Sequence, residues 1–179
     1  MRKVLVIGGG AAGMMAAVTA AKNGGQVLLL EKNEKLGKKL FITGKGRCNI
    51  TNAAEIEEFF SAVVSNPKFL YSSFYSFTND QVIDFFEKLG VQTKVERGGR
   101  VFPASDHSSD VIRALEREMG RLGVKIRLRT EVKELIVEDG TVKGALLSSG
   151  KKLYADAVII TTGGVSYPST GSTGDGYRF

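Results

Sequence analysis

An apolar, β-branched run, Val4-Leu5-Val6-Ile7, leads directly into Gly8-x-Gly10-x-x-Gly13, and an alanine- and methionine-rich stretch follows from Ala11 to Asn23. Nothing else in the sequence restricts the fold so tightly. The run reads as a buried strand and the stretch after it as a helix. Gly24-Gly25 stops that helix, and Gln26 to Leu30 forms the next buried strand. Strand, helix, strand is a right-handed βαβ unit with parallel strands. A bare glycine fingerprint means little, but here it lies between a strand and a helix, where each glycine has a task. Gly8 permits a tight turn, Gly10 admits a pyrophosphate close to the backbone, and Gly13 lets helix and strand pack closely. Ala11 and Ala12 open the helix, whose free N–H groups and positive dipole end suit phosphate.

The second strand runs into Glu31, eighteen residues beyond Gly13. A carboxylate there can accept hydrogen bonds from a ribose and would repel a 2′-phosphate, which argues against NADP at this site. Beyond it, residues 31–52 read as a long glycine- and lysine-rich loop. From Lys32 to Arg47 six cations, Lys39 among them, face one acid, Glu34. Cations beside flexible glycines suit a second approach to a diphosphate.

Residues 54–64, 68–77 and 80–89 read as helices, 91–96 and 100–102 as a hairpin, and 109–122 as an amphipathic helix. Val124 to Leu128 alternates. Three short strands follow at 132–137, 142–148 and 152–154, with turns at Asp139-Gly140 and Ser149-Gly150. Ala157 to Thr161 is again an apolar strand, and it ends in Thr162-Gly163-Gly164. Such a strand would rejoin the parallel sheet and bring glycine backbone beside a cofactor. The expected architecture is therefore α/β: a Rossmann-like dinucleotide-binding domain at 1–52 and 124–179, with a parallel sheet and a β-meander, and a mostly helical insertion at 53–123; the family resemblance given below makes the dinucleotide FAD.

Charge and composition narrow the function. The net charge is +6, which favours anionic partners. RNA binding is not expected, because Phe59, Phe60, Phe69, Phe74, Phe77, Phe85 and Phe86 fall at helical core spacing rather than between cations. Cys48, the single cysteine, rules out a disulfide framework and fits a reducing cytoplasm; without a partner it reads as a buried structural residue. His107, the single histidine, lies in a turn before a helix and reads as a cap or a solvated side chain rather than a catalytic group. No metal-ligand spacing is visible. The basic, apolar N-terminus imitates a secretion signal, but Gly8 to Gly10 interrupt the apolar core such a signal needs. No other run is long enough to cross a membrane, and no membrane partner is expected.

Four stretches together carry a family resemblance: the fingerprint, GKKLFITGKGRCNITN at 37–52, RVFP at 100–103 and TGGVSYPSTGSTGDGY at 162–177. The chain resembles the aminoacetone oxidase / BaiN-like family of FAD-binding oxidoreductases, and its last stretch is also similar to fumarate reductase flavoproteins. The resemblance implies a glutathione-reductase-like fold and non-covalent FAD, with NAD(P)H as a candidate electron donor and a small-molecule substrate. It implies Gly8, Gly10, Gly13 and Glu31 at the AMP half, with Lys39, Arg47, Cys48 and Asn49 towards the diphosphate and flavin. Val132 would hold adenine through its backbone. Family members continue past the Gly174-Asp175-Gly176 segment with a substrate domain and a return segment over the flavin. The chain is thus expected to be the N-terminal part of such an enzyme, and no catalytic acid or base is assigned. Two rival readings are a NAD-binding dehydrogenase domain and a flavin-containing RNA-modifying protein.

Overall fold

A computed structural model describes all of residues 1–179. In chain order the elements are β1 (Lys3–Ile7), α1 (Ala11–Lys22), β2 (Gln26–Leu30), α2 (Lys38–Ile42), β3 (Thr51–Asn52), α3 (Ile56–Ala62), α4 (Tyr71–Ser76), α5 (Asn79–Lys88), β4 (Thr93–Glu96), β5 (Arg100–Pro103) and α6 (Ser108–Arg121). They continue with β6 (Lys125–Arg127), β7 (Val132–Glu138), β8 (Thr141–Leu147), β9 (Lys152–Tyr154) and β10 (Ala157–Ile160). The chain divides into two compact units, residues 1–40 with 115–179 and residues 41–114. The sequence reading set this division at residues 52/53 and 123/124.

The first unit is built on a parallel sheet of order β10-β1-β2-β6. Strand alternation gives the sheet two apolar faces. Leu5, Ile7 and Leu30 join Val132, Ala145 and Leu147 of the antiparallel β7-β8-β9 meander in one buried cluster. Helix α1 contributes Met14, Ala17 and Val18, all fully buried. Burying a side chain of this size stabilises by about 1.5–3 kcal/mol. Lys22 of α1 reaches Glu118 of α6 at 3.2 Å, and Arg121 holds the same carboxylate at 2.7 Å. Against both positive partners Glu118 has its pKa lowered from 4.5 to about 2, mainly by the Arg121 hydrogen bond.

The second unit carries the antiparallel sheet β3-β5-β4 and helices α3 to α5. The expected two-stranded hairpin therefore gains a third strand, Thr51–Asn52, from within the expected loop. That loop also contains α2 and a 3-10 turn at Thr43–Gly46. Helix α5 starts at Asn79 because Thr78 and Gln81 form a capping box. The aromatic residues depart from expectation. Phe86 is buried, whereas Phe69 is 78% and Phe77 41% exposed. Helical spacing put them on common faces, but those faces are not covered. The Phe60 ring meets Tyr71 edge-on at 4.2 Å and Phe59 meets Phe74 edge-on at 5.6 Å, so the rings shelter one another instead. No helix is long and apolar enough to cross a membrane.

Candidate functional site

The first βα turn sits at the C-terminal ends of β1 and β2, where open parallel sheets bind their ligands. Its glycines answer to different demands. Gly8 has φ +107°, and a Cβ there would lie 2.5 Å from Thr161 O. A Cβ on Gly13 would overlap Gly8 O, and one on Gly9 would overlap the Leu36 side chain. Backbone oxygens thus hold Gly8 and Gly13 to glycine, while at Gly9 the flexible Leu36 side chain would have to move, so all three are constrained by the protein itself. Gly10 is not: its φ is −78°, and a Cβ would meet nothing within 4 Å. It is the N-cap of α1 and caps with no side chain; the first turn carries no acid, and Ala11 and Ala12 are exposed. Open backbone N–H groups at the positive end of a twelve-residue helix form a ready anion site.

Glu31 is buried beside this turn, at 8% exposure. Its Oε2 accepts the Gly9 N–H at 2.6 Å, and its Oε1 accepts the Asn33 backbone N–H at 2.8 Å and Nδ2 at 2.6 Å. A carboxylate has about four acceptor positions, so one remains for an incoming hydroxyl. The Thr130 N–H donates to Glu31 O, which brings the start of the meander alongside. Val132 follows at the start of β7, paired with Leu147, its side chain in the core.

Strand β10 brings Thr162-Gly163-Gly164 to the same end of the sheet as the first turn. Gly163 has φ +77°, and a Cβ there would press on Ser172 Oγ at 2.7 Å. The 171–178 segment folds back on this turn. Gly174 N–H donates to Gly164 O and Gly176 N–H to Thr162 Oγ1. Lys32 fastens it, with Nζ 2.6 Å from both Thr173 Oγ1 and Asp175 Oδ2. Burial pushes the Asp175 carboxyl upward, but the hydrogen bonds from Lys32 and Thr173 outweigh it and leave the pKa below its ordinary value. Lys39 donates to Ser166 O at 2.8 Å and lies over the Tyr167 ring. Both lysines are thus tied to the glycine-rich segment.

The other three expected residues lie in the second unit. Arg47 stacks on Phe102 at 4.2 Å and pairs with Glu96 and Asp106, whose other neighbour is Lys94. Glu96 and then Asp106 raise the Arg47 pKa, and the hydrogen bond from Arg47 lowers that of Glu96. Cys48 is fully buried with φ +62°, and burial pushes its thiol up, away from a reactive thiolate. Asn49 is exposed; its amide, turned to donate, reaches Thr51 O at 2.9 Å and Val101 O at 3.2 Å. His107 is exposed in the turn before α6, its ring Nδ1 2.5 Å from Ser105 O. No group of acids, cysteine and histidine is placed to hold a metal.

Sequence reading missed Asn33, which orients Glu31, and Asp175, which anchors the 171–178 segment. Asn33 lies two residues from the acid but carries no motif of its own. Asp175 is 143 residues from Lys32, and only the folded chain brings them together.

Comparison with known proteins adds a consistent picture. Residues 2–179 match the family model described as the HI0933-like protein Rossmann domain. The 3-dehydro-bile acid delta(4,6)-reductase of Clostridium scindens is 38% identical over 85% of this chain and 36% of its own length. The ribosomal RNA dihydrouridine synthase of Escherichia coli is 33% identical over 86% of this chain and 37% of its own length. The chain thus spans little more than a third of these relatives. Among solved structures, the 3-ketosteroid-delta4-(5alpha)-dehydrogenase of Rhodococcus jostii RHA1 superposes with a TM-score of 0.70 at 17% identity, covering 93% of this chain and 47% of that one. A flavocytochrome c3 fumarate reductase gives 0.63 at 23% identity, over 91% and 34% of the two chains. At such identities these two share the fold. The chain belongs to the HI0933-like Rossmann domain family, the BaiN-like family of FAD-dependent oxidoreductases.

Proposed function

We propose that this domain holds FAD non-covalently and serves an oxidoreductase that acts on a small molecule. The observation that carries the reading is Gly10: the protein's own packing does not require glycine there, and its open side faces the uncapped start of α1. The residues present fit the cofactor. Backbone N–H groups at Gly10, Ala11 and Ala12 would receive the pyrophosphate. Glu31, oriented by Asn33, would accept one adenosine ribose hydroxyl, and the backbone near Thr130 and Val132 would border the adenine. Thr162-Gly163-Gly164 would flank the flavin half, with Lys32 and Lys39 setting the segment beside it. Bound FAD would supply two-electron transfer, with NAD(P)H as donor, while these side chains bind, orient and exclude water.

The 38% identical relative is named for reduction of a bile acid, which supports a small-molecule substrate. A second reading, RNA modification, draws on the relatives named ribosomal RNA dihydrouridine synthases and on the charge distribution. The first unit holds seventeen basic against ten acidic residues, the second eight against nine. Lys125, Arg127 and Arg129 follow one another along and just beyond the exposed edge strand β6. Purification of the full-length polypeptide tests the cofactor: a yellow protein that releases FAD on heating supports it, and a colourless one that takes up only NAD overturns it. Salt-dependent RNA binding by the same preparation would favour the second reading.

A further inference from the structure

Thr161, the residue just beyond β10, has no part in the glycine motifs, yet its side chain reaches into the first turn. Its backbone N–H already continues the sheet by donating to Ile7 O at 2.8 Å. Its hydroxyl adds a second tie, with Oγ1 2.9 Å from Ile7 O and 3.0 Å from Gly8 O. One hydroxyl proton is thus shared between two consecutive carbonyls. These carbonyls lie where the chain leaves β1 for the turn, and Gly8 O is also the atom that a Cβ on Gly13 would overlap. Thr161 Oγ1 would itself lie 2.8 Å from such a Cβ, so hydroxyl, carbonyl and helix meet with no room for a bridging water.

We propose that Thr161 is a positioning residue for the dinucleotide: its hydroxyl pins Ile7 O and Gly8 O and so fixes the turn whose N–H groups receive the pyrophosphate. The inference rests on the FAD reading above for its consequence but not for its geometry. Ile7 O stays held by the Thr161 N–H, so the carbonyl that depends on the hydroxyl is Gly8 O, and without this tie the peptide after Gly8 is restrained only by its N–H. Rotation of the peptide after Gly8 turns the Gly9 N–H away from Glu31, to which it donates at 2.6 Å. Both the phosphate end and the ribose end of the site then lose their preset form, although no group that touches the cofactor has been changed.

The test uses Thr161→Val, which keeps shape and removes the hydroxyl, and Thr161→Ser, which keeps the hydroxyl, both in the full-length polypeptide. Two readouts are taken: amide hydrogen exchange at residues 8–13 without cofactor, and FAD affinity by titration. The valine variant is expected to exchange faster at these amides and to bind FAD about tenfold more weakly, equivalent to 1.4 kcal/mol. Serine should restore both to wild-type behaviour. A valine variant with unchanged exchange and unchanged affinity overturns the proposal, and so does a serine variant as impaired as valine. If the wild type takes up no FAD, the cofactor reading fails by itself, and the exchange rates alone decide whether Thr161 fixes the turn.

Discussion

Replacing Glu31 by alanine separates two tasks that the structure gives one carboxylate. Within the protein, Glu31 accepts from Gly9 N at 2.6 Å, Asn33 N at 2.8 Å and Asn33 Nδ2 at 2.6 Å. A hydrogen bond to a charged group contributes about 1.5–3 kcal/mol net. The three are not additive, because they share one acceptor group and the part-buried Asn33 can turn to water. The Gly9 bond is buried, and its donor would be stranded. A loss of about 2–4 kcal/mol in the stability of the cofactor-free protein follows. The bound ribose would lose a further charged acceptor, weakening FAD by about ten- to a hundredfold. Glu31→Gln, which keeps one carbonyl oxygen, should fall between wild type and alanine in both respects. Urea unfolding without FAD and calorimetric titration with FAD read the two effects separately. Unchanged cofactor-free stability for Glu31→Ala, within about 0.5 kcal/mol, would refute the clamp, since that is the scatter expected of an ordinary surface substitution.

Gly10→Ala should leave the cofactor-free protein as stable as wild type while weakening FAD at least tenfold, whereas Gly13→Ala should destabilise the fold itself by about 1–3 kcal/mol; thermal melts with and without FAD distinguish them. For Glu118, a carboxyl held at about 2 in the fold against an ordinary 4.5 stabilises above the higher value and loses that contribution as pH falls towards the lower one. Wild type should therefore lose stability between those limits more steeply than Glu118→Gln, and the difference should be modest because Arg121 is 65% exposed; equal slopes in acid-unfolding curves would contradict the pairing.

The β1-α1-β2 unit was legible because apolar period, glycine spacing and the terminal acid all point the same way over thirty residues. The meander was legible from Asp139-Gly140 and Ser149-Gly150, which can hardly be anything but hairpin turns. Helix α2 was not, because five residues give too few turns for a period to show. Nor was the place of β6: its alternation was visible, but nothing local says that Leu28 to Leu30 will pair with Lys125 to Arg127. The aromatic residues of α3 and α4 mark the limit of pattern reading. Spacing assigns side chains to a face, and only the tertiary fold decides whether that face is covered. In the site, the residues with a motif role were visible, while Asn33, Thr161 and Asp175 act through hydrogen bonds to atoms that the sequence does not place.

On the proposed function, this domain reads the AMP half of a flavin dinucleotide. Isothermal titration of the full-length, cofactor-stripped polypeptide with FAD and with FMN tests it most directly, since FMN carries the flavin without the adenylate. FAD should bind at least about a hundredfold more tightly, a difference of about 2.7 kcal/mol contributed by the Gly8–Gly13 turn and Glu31. Equal affinity for FMN and FAD would show that the turn, the start of α1 and Glu31 take no part in holding the cofactor, and would contradict the claim.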